Sequence, residues 1–282
     1  AILAGLTPFV VRTIKHLSDD EKIEECADEI LAGNYSVEMP DVKNEYEPII
    51  RVMKRLSDAL AFVEKTQTDF INDFAHELKT PIVSIKGFAK IVAGGEITEE
   101  EKKEYLSLIV SESDRLIELT ANTLMLDRLG ANSLEVEKKE FSLSETARKE
   151  ILILQDKWES KNIEVEAELN EVTVISNPEL VGQMILNVME NAVKYTPENG
   201  KITVTDGKTA DGVFLTIKDD GIGMDDETKR RMFDRYYRGD KSRQKGSNGL
   251  GLATVKKIAE VLGVKISVNT APDEGTEFTF IF

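Results

Sequence analysis

The chain has 282 residues, enough for two or more domains with cores of their own. Its net charge of −16, with 31% charged residues, argues against a general nucleic-acid binder, because that function needs a basic face. A lone cysteine, Cys26, excludes an internal disulfide and a cysteine metal cluster, and it fits a reducing compartment.

Residues 1–11, AILAGLTPFVV, are apolar and are followed by Arg12, Lys15 and His16. That order is expected at the cytoplasmic end of a transmembrane or juxtamembrane helix, here over 1–17. Residues 18–34 have an acidic helical pattern that stops at Gly33-Asn34. A connector with breaks at Pro40 and Pro48 follows.

After Pro48, Ile49, Met53, Leu56, Leu60, Val63, Gln67, Phe70 and Phe74 are spaced alternately by four and three. This is the seam of a coiled coil or helical bundle, with Gln67 as its one polar member. His76 lies two positions beyond the seam, so it is expected to point away from the axis. Pro81, five residues on, predicts a kink just below it. A Gly94-Gly95 break separates this helix from a second, 98–128, whose apolar stripe is Tyr105, Ile109, Leu116, Leu119 and Leu126. The pair predicts an αα-hairpin, and two helices bury too little alone, so a dimeric four-helix bundle is expected.

LGANSLE, 129–135, reads as a hinge. Beyond it come a helical pattern at 143–159, an alternating IEVEAEL, a short VTVI and a helix from Asn177. Strands KITVT, VFLTIKD, KISVN and TEFTFIF follow, so this region is expected to be a separate α/β two-layer sandwich.

Three stretches of that region carry chemistry. In PELVGQMILNVMENAVKY, one face is Val181, Met184, Ile185, Val188 and Ala192, while Asn187, Asn191 and Lys194 share another. An amide oxygen suits Mg²⁺ and an ammonium suits phosphate; a solvated helix face explains the same residues equally well. In IKDDGIGM, Asp219 ends a strand, and Gly221 and Gly223 let the backbone approach a flat ligand. KRRMFDRYYRGDKSRQK, 229–245, sets eight Lys or Arg against two Asp and runs into GSNGLGLATVKKI, a glycine-rich helix start that favours anions. Together they suggest a nucleotide site under a basic cover.

The succession FAHELKTP, NVMENAVKYTP, DDGIGM, FDRYYRG and NGLGLATVK resembles the H, N, G1, F and G2 boxes of bacterial sensor histidine kinases, over about residues 50–282. The last box departs from the family at Ser247, where a glycine is frequent. Residues 18–65 resemble a HAMP linker. The domains expected are the membrane end at 1–17, the linker and coiled coil at 18–65, a dimerisation and histidine-phosphotransfer hairpin at 66–130, and an ATP-binding domain of GHKL (Bergerat) type at 131–282.

The resemblance implies a residue-by-residue set of roles. His76 is the phosphoacceptor, Glu77 orients it and takes its proton, and Thr80 places a water for dephosphorylating a partner's aspartate. Asn191 is a ligand to Mg²⁺, supported by Asn187, and Lys194 lies near phosphate. Tyr195 packs beside adenine and Asp219 reads its amino group, within the turn of Gly221 and Gly223. Arg238 contacts the γ-phosphate, and Gly249 and Gly251 admit the phosphates. ATP and Mg²⁺ are then the cofactors, and a second copy and a response-regulator receiver domain the partners. The place implied is the cytoplasmic portion of a bacterial membrane protein. The alternative is a nucleotide-binding dimeric scaffold acting mainly as a phosphatase.

Overall fold

In a computed structural model of the chain, residues 19–42, 45–130, 136–237, 239 and 249–282 are described. The expectations for 1–17, for Arg238 and for Ser247 lie outside them, as does the hinge expected at 129–135 except for its first two residues, which are helical. The described residues divide into two units, one ending at His76 and the other Glu77–Phe282.

In the first unit, helix α1 spans 19–31 and buries Cys26 and Ile30. It ends as its sequence predicts. Gly33 takes φ +94°, and Asn34 N–H reaches back to Glu29 O at 2.9 Å, a Schellman-type stop. Helix α2, Glu47–Gly94, begins in this unit, and buried Ser57 donates to Tyr35 O at 2.7 Å. Seam residues Ile49, Leu56 and Val63 stay about half exposed in the single chain, so the stripe is available for a partner.

In the second unit, α2 continues without a break through Pro81, and no separate helix begins there. Helix α3, Glu99–Gly130, starts with a reciprocal cap. Thr98 N–H donates to Glu101 Oε2 at 2.8 Å, and Glu101 N–H donates to Thr98 Oγ1 at 3.2 Å. Phe88 and Tyr105 stack across the hairpin at 5.8 Å between ring centroids. No described helix is long and apolar enough to cross a membrane.

The remainder is a two-layer α/β sandwich. Strands β1 (Lys139–Ser142) and β3 (Thr173–Ser176) make a small antiparallel pair. The main sheet joins β2 (Glu164–Glu168), β4 (Lys201–Thr209), β5 (Gly212–Asp219), β6 (Lys265–Thr270) and β7 (Thr276–Ile281) in the order β2-β4-β5-β7-β6. Only β2 and β4 run parallel; the other neighbours are antiparallel. Helices α4 (Leu143–Ile153), α5 (Gln155–Glu159), α6 (Pro178–Tyr195), α7 (Asp226–Arg231) and α8 (Gly251–Leu262) complete it. The expected single helix at 143–159 is two, divided at Leu154, whose ψ of 9° leaves the helical range.

The core lies between the sheet and helices α4, α6 and α8. Val181, Met184, Ile185 and Val188 of α6 and Val255 and Ile258 of α8 meet Ile202, Val204, Leu215, Ile217, Phe278 and Phe280 of the sheet. Alternate residues of β4, β5 and β7 are buried, as a sheet covered on one face requires. Leu129, at the end of α3, belongs to this same core.

Candidate functional site

His76 and Thr80 occupy successive turns of α2, and both are exposed in the single chain, as the helical phase predicts for His76. Glu77 is half-buried. Arg115 of α3 reaches it across the hairpin, Nη2 to Glu77 Oε2 at 3.4 Å, and also lies 3.7 Å from Glu112 Oε2. Nothing in the sequence pattern singled out Arg115.

The sandwich contains a cleft of about 930 Å³, within the size range of ligand sites. Asn187, Asn191, Lys194, Tyr195, Asp219, Gly223, Gly249 and Gly251 all line it. Helix α6 supplies the first four of them. Its start is set by Asn177, whose side chain accepts from Leu180 N–H at 2.9 Å, and by Pro178 in the first turn. Asn187 is buried, and its Nδ2 donates to Gln183 O at 2.9 Å, so this side of α6 is a cleft wall and not a solvated face. Lys194 Nζ lies 5.4 Å from the Tyr195 ring centroid.

Asp219 ends β5 and is buried. Its Oδ1 accepts from Gly221 N–H at 2.9 Å and from Thr276 N–H at 3.2 Å, which leaves Oδ2 to meet a ligand donor. Burial pushes this carboxyl up to about 6; the two backbone N–H groups work against that rise, and neighbouring Asp220 adds to it. Gly221 is not among the lining residues, and packing explains its identity. A Cβ there would lie 2.7 Å from Tyr195 O. At Gly223, with φ +58°, a Cβ would meet Ala271 O at 1.8 Å.

The far wall is the start of α8. Leu250 precedes it with no side-chain cap, so its first N–H groups are open to an anion. Gly249, at φ +64°, accepts at its carbonyl oxygen from Tyr236 N–H at 2.8 Å, and a Cβ would lie 2.7 Å from the Tyr236 carbonyl carbon. At Gly251 a Cβ would sit 3.2 Å from Asn187 Oδ1, so the glycine keeps α6 and α8 close. Among the described residues no group of three or more His, Cys, Asp or Glu could hold a metal ion. The amide oxygens of Asn187 and Asn191 are hard donors of the kind an Mg²⁺ ion takes. The lining also includes Lys161 and, from α3, Glu118 and Asn122, which sequence reasoning missed.

Comparison with known proteins gives two family matches. The His Kinase A (phospho-acceptor) domain matches residues 66–132. The histidine kinase-, DNA gyrase B- and HSP90-like ATPase family matches residues 176–282. Sensor histidine kinase YkoH of Bacillus subtilis is 32% identical over 77% of this chain and 47% of its own length. Signal transduction histidine-protein kinase ArlS of Staphylococcus aureus is 28% identical over 86% of this chain and 55% of its own. The chain thus spans about half the length of these curated relatives. The solved structure of full-length ShkA in complex with AMPPNP covers 75% of this chain and 45% of its own, at 26% identity and a TM-score of 0.57.

Proposed function

We propose that this chain, which belongs to the bacterial sensor histidine kinase family of two-component systems, binds ATP in the sandwich cleft, moves the γ-phosphoryl group to His76 and passes it to an aspartate of a response regulator. The observation that carries this reading is convergence on one cleft. The polar side of α6, the Asp219 turn and the uncapped start of α8 line a single nucleotide-sized space, in a chain that exposes His76, with Glu77 beside it, on another helix.

The roles follow from chemistry. Asp219 Oδ2 accepts the adenine amino group, and Tyr195 packs beside the base. Lys194, Arg238 and the backbone amides at Gly249 and Gly251 neutralise phosphate charge. Asn191, with Asn187 behind it, would hold Mg²⁺, which would supply positive charge against the phosphates. A neutral imidazole nitrogen of His76 attacks the γ-phosphorus while the bond to ADP breaks, and Glu77 takes the ring proton. Most of the acceleration is then positioning and charge neutralisation.

Exposed apolar residues on the hairpin helices, Val83, Ile91, Leu106 and Val110 among them, support a homodimer that buries them in a four-helix bundle. The apolar-then-basic order of residues 1–17 supports a membrane attachment that leaves the described residues on the cytoplasmic side. The helix-stop and restart around 33–48 supports a HAMP-like linker. Thr80, exposed one turn after His76, favours a second activity on the same site: dephosphorylation of the regulator.

The test is incubation with γ-labelled ATP and Mg²⁺, followed by acid and alkali treatment. Label that is acid-labile, alkali-stable and lost in His76→Ala is expected. A chain that binds ATP and takes no label is the phosphatase scaffold instead.

A further inference from the structure

Helix α6 carries four residues of the cleft wall and ends at Tyr195. The last four carbonyls of a helix have no donor within it. Here each carbonyl from 192 to 196 has a partner. Thr196 N–H donates to Ala192 O at 2.9 Å, and Ile222 N–H approaches Tyr195 O at 3.4 Å. The others converge on one side chain from outside the helix. Lys161 Nζ donates to Val193 O at 2.7 Å, to Lys194 O at 3.2 Å and to Thr196 O. Three contacts match the three N–H bonds of an ammonium. The charge also sits at the negative end of the helix dipole.

Lys161 is itself fixed. Its carbonyl accepts from Asn199 N–H at 3.0 Å, and the next side chain, Asn162, donates to Asn199 Oδ1 at 2.5 Å. Asn162 and Asn199 both take the left-handed conformation, with φ 53° and 60°, so a tight double turn anchors the lysine. Its side chain forms part of the cleft wall. The Asp219 turn abuts the same helix end, because Gly221 packs on Tyr195 O.

We propose that Lys161 is a positioning residue for nucleotide binding: seated on the carbonyls of 193, 194 and 196, its ammonium fixes the end of α6 so that Lys194 and Tyr195 face the cleft in register with Asp219. The inference rests on the reading of this cleft as an ATP site. Without the ammonium, three carbonyls lose a charge-assisted partner and the last turn frays, at the turn that carries two of the nucleotide's contacts.

The experiment compares the whole chain with Lys161→Met and Lys161→Arg by equilibrium dialysis with Mg-ATP, alongside thermal unfolding and autophosphorylation at varied ATP. Lys161→Met is expected to raise the Kd and the KM for ATP about tenfold, the scale of one charge-assisted bond, with kcat at saturating ATP unchanged. A lowered Tm with a Kd within about twofold of wild type would make the lysine merely structural and overturn the proposal. If Lys161→Met does not fold, Lys161→Arg decides. Its planar fork cannot place donors on all three carbonyls, so a weakened Kd is expected and a wild-type Kd overturns the proposal. Wild-type protein that binds no ATP refutes the ATP site and this inference together. Wild-type protein that binds ATP but takes no acid-labile label refutes only the kinase reading, because dialysis reads binding alone.

Discussion

Lowering the pH from 8 to 5 should weaken nucleotide binding through one carboxyl, Asp219. Burial raises it from 3.8 to about 6. With Oδ1 committed to two backbone N–H groups, a proton must go to Oδ2, the oxygen proposed to accept the adenine amino group. Protonation turns that acceptor into a donor. Binding then scales with the ionised fraction, which is near one at pH 8 and about one-eleventh at pH 5, so the Kd rises about tenfold. The sign for folding is opposite. Native Asp219 binds its proton more tightly than the unfolded chain does, so this group's contribution to stability is full below about pH 4 and is lost as pH rises to about 6. The loss at neutral pH is about 3 kcal/mol. Asp219→Asn keeps Oδ1 and removes the ionisable group. It should raise the Tm at pH 7.5 by several degrees, weaken ATP by about tenfold to a hundredfold, and leave that weak affinity without the acid limb due to Asp219. The assay is calorimetric titration with ATP at constant ionic strength from pH 5 to 8. Phosphate itself titrates near pH 6, so the variant supplies the baseline. A wild-type profile parallel to that of Asp219→Asn would refute the reasoning.

Two further outcomes are expected. Gly223→Ala places a methyl 1.8 Å from Ala271 O, a backbone atom that cannot step aside, so it should abolish ATP binding and lower the Tm, read by dialysis and calorimetry. Glu77→Gln should keep ATP affinity and slow label transfer to His76 by about 10²- to 10⁴-fold, the range for losing a proton acceptor, measured as single-turnover phosphorylation.

The elements that carry their own period could be read from the sequence. The α6 apolar face and the heptad of α2 announce themselves, as do the Gly33 stop and the strands flanking the Asp219 turn. Elements defined by distant partners were hidden. Strand β1 is four residues without alternation and exists because β3 lies opposite it. The break at Leu154 interrupts a pattern that continues on both sides. Asn187, Asn191 and Lys194 were legible as a face, but only burial separates a cleft wall from a solvated one. Gly221 was read as room for a ligand, and its room is used by Tyr195 O. Lys161 left no trace at all, because its partners are carbonyls, which every residue possesses.

The wall of the cleft is not drawn from the sandwich alone: Glu118 and Asn122 belong to α3, the second helix of the hairpin. Ligand occupancy and the seating of α3 are therefore linked variables. Under the proposed ATP reading, a change in how α3 packs against α8 would change nucleotide affinity, and nucleotide would act on that packing by the same factor in return.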